Sequence, residues 1–146
     1  MQGLANSALT YRNLEHMTDA FIEVTADTLE KAFETSGAAV VDAILDIRAV
    51  EKKSERVMEV RAEDLNDLLY NWLEEVIILT ITDGFAGSSF EVSITKNGEY
   101  LLRARILGEE VDFERHHFKM EVKAPTKHLM EIRQENPVVM RFLLDL

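Results

Sequence analysis

Apolar positions along this chain recur with two different periods, and the changes of period mark its elements. Between Ala20 and Ala26 they alternate, with Ile22 and Val24 on one face and Glu23 on the other, which predicts a strand. Leu29, Ala32, Phe33, Val40, Ala43 and Ile44 then recur at helical spacing and predict a helix to about Asp46. The run Asp27-Thr28-Leu29-Glu30 supplies its start, with Asp27 as the oxygen-bearing cap and a glutamate three residues on. Gly37 costs this helix up to about 1 kcal/mol against alanine and leaves room for a close neighbour.

The next stretch, Val50–Ala62, reads as a charged turn (Glu51-Lys52-Lys53-Ser54-Glu55) between two short β-like runs, the second at Val57–Val60. Asp64 caps a second helix whose Leu65, Leu68, Leu69, Trp72, Leu73 and Val76 form one apolar stripe. The stripe runs into Ile77–Thr82, which is β-branched and fits helix or strand, and Asp83-Gly84 ends it. From Ser89 the pattern turns to β: Phe90, Val92 and Ile94 alternate with polar residues, and Asn97-Gly98 supplies the positive φ angles of a hairpin. Tyr100–Ile106 carries the alternation back. Further strands are predicted at Phe118–Val122, at Leu129–Arg133 and, after Pro137, at Val138–Leu146.

Strands outnumber helices, and two amphipathic helices each need one face covered. The predicted fold is therefore a single α+β domain, with both helices on a mainly antiparallel β layer or sandwich. It spans residues 10–146, behind a loose, small-residue leader at Met1–Leu9, with no repeat or low-complexity tract.

Composition narrows the function. A chain of 146 residues with 47% hydrophobic and 29% charged positions can bury a sizeable core without metal or cross-links. Its net charge of −11 repels phosphate backbones, so no direct high-affinity nucleic-acid binding is expected; a basic protein partner or bound cations suit it better. The absence of cysteine excludes disulfides, thiolate metal sites and cysteine nucleophiles, and is compatible with a reducing cytoplasm. There is no signal-peptide pattern at the N-terminus and no run of about 18 apolar residues, so no membrane span is expected.

Several familiar sites are missing: no phosphate-binding glycine loop, dinucleotide fingerprint, His-Glu-x-x-His or nucleophile elbow occurs. Gly108–Asp112 reads as a solvated acidic turn, and adjacent His116 and His117 would point to opposite faces of a strand, a poor chelate. Two places carry more chemistry. At Leu14–Asp19, polar residues including His16 crowd the entry to a strand. At Leu143–Leu146, Asp145 closes an apolar run, and an α-carboxylate on Leu146 would add a second anion. Clustered oxygens of this kind suit hard cations such as Ca²⁺ or Mg²⁺.

Four segments, in order, then become informative together. They are Leu14-Glu15-His16-x-x-Asp19, the helix Thr28–Phe33, Asp64-Leu65-x-x-Leu68-Leu69-x-x-Trp72-Leu73-Glu74, and Glu121-Val122-Lys123-Ala124-x-Thr126-x-His128 with the terminal Leu144-Asp145-Leu146. This series resembles the archease family over nearly the whole chain. Where that family reads His-Thr-Ala-Asp, this chain has His16-Met17-Thr18-Asp19, which moves the hydroxyl by one position. Pro125 and Lys127 likewise replace the apolar and aromatic residues usual around Thr126.

The resemblance implies an accessory protein, not an enzyme. Its partner would be an RtcB-type RNA ligase, which joins RNA ends in tRNA splicing with GTP and Mn²⁺. Archease-like proteins promote guanylylation and multiple turnover of that ligase. By motif match, Asp19 and Asp145 would hold a divalent cation (Ca²⁺, with Mg²⁺ or Mn²⁺ in function), and Leu146 would add its oxygens. Lys123, His16 and His128 would face the partner or an anion. The alternatives are a metal-dependent, phosphatase-like hydrolase using the same carboxylates with His16 or His128 as base, and a chaperone-like interaction protein needing no metal.

Overall fold

The computed structural model describes residues 10–14 and 19–146, so the leader read at Met1–Leu9 and the segment carrying His16 lie outside the described residues. Among the described residues, seven strands and two α-helices follow one another as β1 (Tyr11–Leu14), β2 (Asp19–Ala26), α1 (Leu29–Ile44), β3 (Ser54–Ala62), α2 (Leu65–Ile77), β4 (Phe85–Asn97), β5 (Glu99–Glu110), β6 (Ala124–Arg133) and β7 (Val138–Asp145). They form two antiparallel sheets, one ordered β1-β2-β7-β6 and the other β3-β5-β4. Helix α1 packs on β2 and β4, and α2 on β6 and β3, so the helices join the two sheets around one core. The predicted α+β class is the observed one.

Helix α1 is capped by Thr28, whose hydroxyl accepts the Lys31 amide at 3.1 Å. The helix therefore starts one residue later than Asp27 would have started it. Either side chain is a competent cap. Gly37 does admit a close neighbour: a Cβ there would lie 2.9 Å from the Trp72 ring and 3.0 Å from that of Phe90. Trp72 on α2 is wholly buried against this notch, and its indole N–H donates to Phe33 O (2.9 Å) and Ser36 Oγ (3.2 Å). Trp72→Ala is expected to lower stability by about 3–5 kcal/mol, read from urea unfolding, because the notch cannot close over a space of that size. A loss below about 1 kcal/mol would show that Trp72 is not the joint between the helices.

Five readings are corrected. Ile78–Thr82 is neither α-helix nor strand but a π-helical turn, in which the buried Thr80 hydroxyl donates to Val76 O at 2.8 Å. The apolar face of α2 extends over the core there and overrides β propensity. No strand forms at Val50, which caps a 3₁₀ turn (Ile47–Ala49), and β3 begins at Ser54. Strand β4 begins at Phe85, ahead of Ser89, and absorbs a bulge between Gly87 and Ser89. Of the hairpin pair Asn97-Gly98, Gly98 alone takes positive φ, at 83°. Phe118–Val122 is not a strand: Phe118 N–H donates to Phe113 O (2.9 Å) and Lys119 N–H to Ile44 O (2.7 Å), so its amides serve a local turn and the end of α1 and no ladder.

The acidic segment and the paired histidines also differ from expectation. Glu109 and His116 are buried, while Glu110, Asp112 and His117 are exposed. His116 lies in a turn, where its Nδ1 accepts the Asp112 amide (3.0 Å); that leaves Nε2 to donate to Glu109 Oε2 (2.8 Å). Glu109 also accepts the Glu51 amide (2.8 Å) and an ion pair from Arg115 (2.9 Å). Arg115 above all, then the Glu51 amide and His116, hold the Glu109 carboxyl down at about 2, against an ordinary 4.5. A carboxyl so depressed binds fewer protons folded than unfolded. Its contribution is complete above about pH 4.5 and fades as pH falls toward 2. Glu109→Gln is expected to lower stability at neutral pH and to flatten the acid-side decline of the urea midpoint; an unchanged slope would remove Glu109 from the acid response.

Candidate functional site

Alternation along β2 and β7 decides which residues reach the site. Ile22 and Val24 of β2 oppose Phe142 and Met140 of β7, and all four are buried in the core. The positions between them turn to the other face of the sheet. At its end, Asp19 stands directly opposite Asp145, and on the far side of β7 Asp145 stands opposite Ala124 of β6. Directly opposed residues of an antiparallel pair carry their side chains on one face, with Cβ atoms about 4.5–5.5 Å apart. The two carboxyl groups singled out from opposite ends of the sequence thus share one rung of one sheet.

Neighbouring residues define the edges of this site. Leu146 is half-buried, its side chain packed against the core, which holds its backbone beside Asp145. Lys123 is exposed, and its amide donates to Asp145 O at 2.8 Å, which brings its backbone to the end of β7. Among the described residues, Lys123 forms no ion pair. His128 is not brought in. It lies four residues beyond Ala124, about 13 Å along the strand, on the irregular stretch of β6 where Leu129 takes φ 61°. Its own amide bonds Thr126 Oγ1 at 3.1 Å.

Farther along the same face, Glu23 is clamped between Arg12 and Arg141, at 2.8 Å each. These cations, Arg12 first, hold its carboxyl below the ordinary range. Sequence reading missed this clamp; its only trace was a polar residue at the same alternating phase in each of the three strands. At the end of the face the register instead sets Asp19 against Asp145, with Ala124 on the far side of Asp145.

Two facing carboxylates plus terminal backbone oxygens make an all-oxygen donor set, which fits a hard cation and not a thiolate metal. Among the described residues, no cluster of three or more His, Cys, Asp or Glu could hold a metal ion. Asp19 and Asp145 alone therefore do not make up a complete ligand set.

The family model described as the archease protein family matches residues 11–146. The chain belongs to the archease family. The archease of Pyrococcus furiosus is 43% identical over 125 residues, covering 85% of this chain and 88% of that protein. The archease of Methanopyrus kandleri is 37% identical over 140 residues, 94% of this chain and 100% of its own length. Among solved structures, protein 1598 of Methanobacterium thermoautotrophicum aligns with TM-score 0.79 and 33% identity over 94% of this chain and 97% of that one. A Thermotoga maritima archease described as a possible chaperone shares the fold, with TM-score 0.56 and 17% identity over the full length of both chains. The archease match takes in Asp19, Lys123, Asp145 and Leu146, so the rung at the sheet's end lies wholly inside the family domain. No helix of the described residues is long and apolar enough to cross a membrane.

Proposed function

We propose that this archease-family chain is an accessory protein of an RtcB-type RNA ligase, promoting its guanylylation and multiple turnover, and that it works in the cytoplasm with that partner. Asp19 and Asp145, with oxygens of Leu146, would hold a divalent cation at the docking surface; Ca²⁺, Mg²⁺ and Mn²⁺ all suit such donors. The observation that carries this reading is the opposed pair, Asp19 against Asp145. A bound cation would supply charge neutralisation and positioning for phosphate oxygens at the ligase's guanylylation site. The chain's own part is to fix the carboxylates on a rigid sheet and to meet a basic ligase surface with net charge −11. Lys123, beside the pair, would face phosphate or the partner's own carboxylates.

A hydrolase built on the same carboxylates needs a base beside them. Of the candidate bases, His128 stands apart and His16 lies outside the described residues, so geometry gives that alternative no support. The test is multiple-turnover RNA ligation by the cognate ligase at limiting concentration, with and without this chain, in GTP and Mn²⁺. Added chain is expected to carry product well past one equivalent per ligase. Product that stops at the same level either way, or phosphoester turnover by the chain alone, would remove the accessory reading.

A further inference from the structure

The loop joining β5 to β6 turns apolar residues outward. Phe113, Phe118 and Met120 are 45%, 47% and 40% exposed, and the two rings stack edge to face with centroids 5.1 Å apart. Single exposed apolar side chains are ordinary, but a stacked aromatic pair with a third exposed apolar side chain two residues along the same loop is a patch.

This patch sits on a fixed backbone. The Asp112 carboxylate accepts the amides of Glu114 and Arg115 (3.1 Å each), His116 N–H donates to Asp112 O (2.8 Å), and Phe118 N–H to Phe113 O (2.9 Å). Below, the buried His116 is locked to Glu109, its carbonyl accepts the Asp46 amide (2.8 Å), and Lys119 N–H reaches Ile44 O (2.7 Å). A loop whose buried polar groups are spent on holding two exposed phenylalanines is already ordered for docking, which lowers the entropy lost on association.

Charge indicates what docks. Arg115 is committed to Glu109 (2.9 Å), and the Lys119 ammonium to Asp42, donating to its carbonyl at 2.8 Å and lying 3.3 Å from its carboxylate. Glu114 and Glu121 are exposed and, among the described residues, make no ion pair. The apolar centre therefore has an acidic rim. Phe118 is also five residues from Lys123, so chain length alone keeps it within about 17 Å of the residue whose amide holds Asp145 O. A standard interface of about 800 Å² per partner spans roughly 30 Å and covers both.

We propose that Phe113, Phe118 and Met120 form the apolar anchor by which this chain docks a protein partner that offers an apolar pocket rimmed by lysine and arginine, with the Asp19–Asp145 rung inside the same footprint. The inference rests on the ligase reading only for the identity of that partner. The test measures binding of the full-length chain to the cognate RtcB-type ligase, with unfolding midpoints recorded for every variant. The pair Phe113→Ser/Phe118→Ser is expected to weaken binding at least about tenfold, mainly through faster dissociation. The pair Glu114→Lys/Glu121→Lys, at exposed positions without an ion pair among the described residues, is expected to slow association and flatten its salt dependence. Should the serine pair fail to fold, the charge-reversed pair decides. Wild-type binding that both variants leave unchanged overturns this surface and spares the ligase reading, whereas no wild-type binding overturns both. Dimerisation of the wild-type chain that the serine pair abolishes would assign the patch to a second copy, and overturn it equally.

Discussion

Asp145→Ala is expected to return multiple-turnover ligation to its level without the chain, while the fold survives. The residue ends β7, and its side chain is exposed beyond the last buried position, Leu144. The backbone bond from Lys123 N–H to its carbonyl remains in the variant. Surface substitutions of this kind shift stability by about 0.5 kcal/mol or less. Here the sign should be neutral or favourable without metal, since like charges placed directly opposite on adjacent strands repel. Metal reverses the comparison. A cation at a hundred times its dissociation constant would stabilise the wild-type fold by about 2.7 kcal/mol, and that increment should vanish in the variant. Asp19→Ala should behave alike. Full activation by either variant, or an equal metal-induced rise in unfolding temperature, would separate the carboxylates from the function.

Gly108→Ala is expected to leave no folded protein under conditions where the wild-type chain is native. Gly108 of β5 lies opposite Gly87 on one side and Ser54 on the other. A Cβ on it would sit 1.8 Å from the Ala86 carbonyl oxygen and 3.0 Å from the Gly87 Cα. Both obstacles are backbone of the bulged strand, so no side-chain rotation relieves them. Relief needs the ladder to open where Lys53 N–H also bonds Gly108 O (2.9 Å), beside the buried Glu109. A loss of more than about 4 kcal/mol follows, beyond ordinary overpacking. Gly98→Ala provides the contrast: nothing lies within 4 Å of its added methyl, and the penalty is the φ of +83° alone, about 1–2 kcal/mol. Circular dichroism and urea titration compare the two directly, and a native Gly108→Ala chain with an unchanged midpoint would refute the clash.

What the sequence discloses depends on how local the cause is. Strand β2 and both helices were legible because one face of each is buried, and burial writes a period into the chain. Thr28 displaced Asp27 as cap because two adjacent residues carried the same chemistry and tertiary fit chose between them. Phe118–Val122 alternated like a strand, yet only Val122 faces the core while Phe118 and Met120 are exposed. His116 looked like half of a surface pair, since nothing near it in sequence announces that Glu109 will be buried beside it. The candidate site splits the same way. Asp19 and Asp145 stood out by resemblance to a family, but their shared rung had no local sign, because strand pairing across the whole chain is decided by the assembled sheet. The bulge that carries His128 away from that rung was equally hidden.

Strand β7 lies inside its sheet, between β2 and β6, and the Glu23–Arg141 bond on it joins residues 118 apart. During synthesis β2 can pair with β1 early, but its second neighbour, β7, emerges only after nearly all of the residues between them. Closure of the sheet and creation of the acidic rung are then one late event, with the slow kinetics of distant pairing. A prematurely ended product carries Asp19 without Asp145 opposite it.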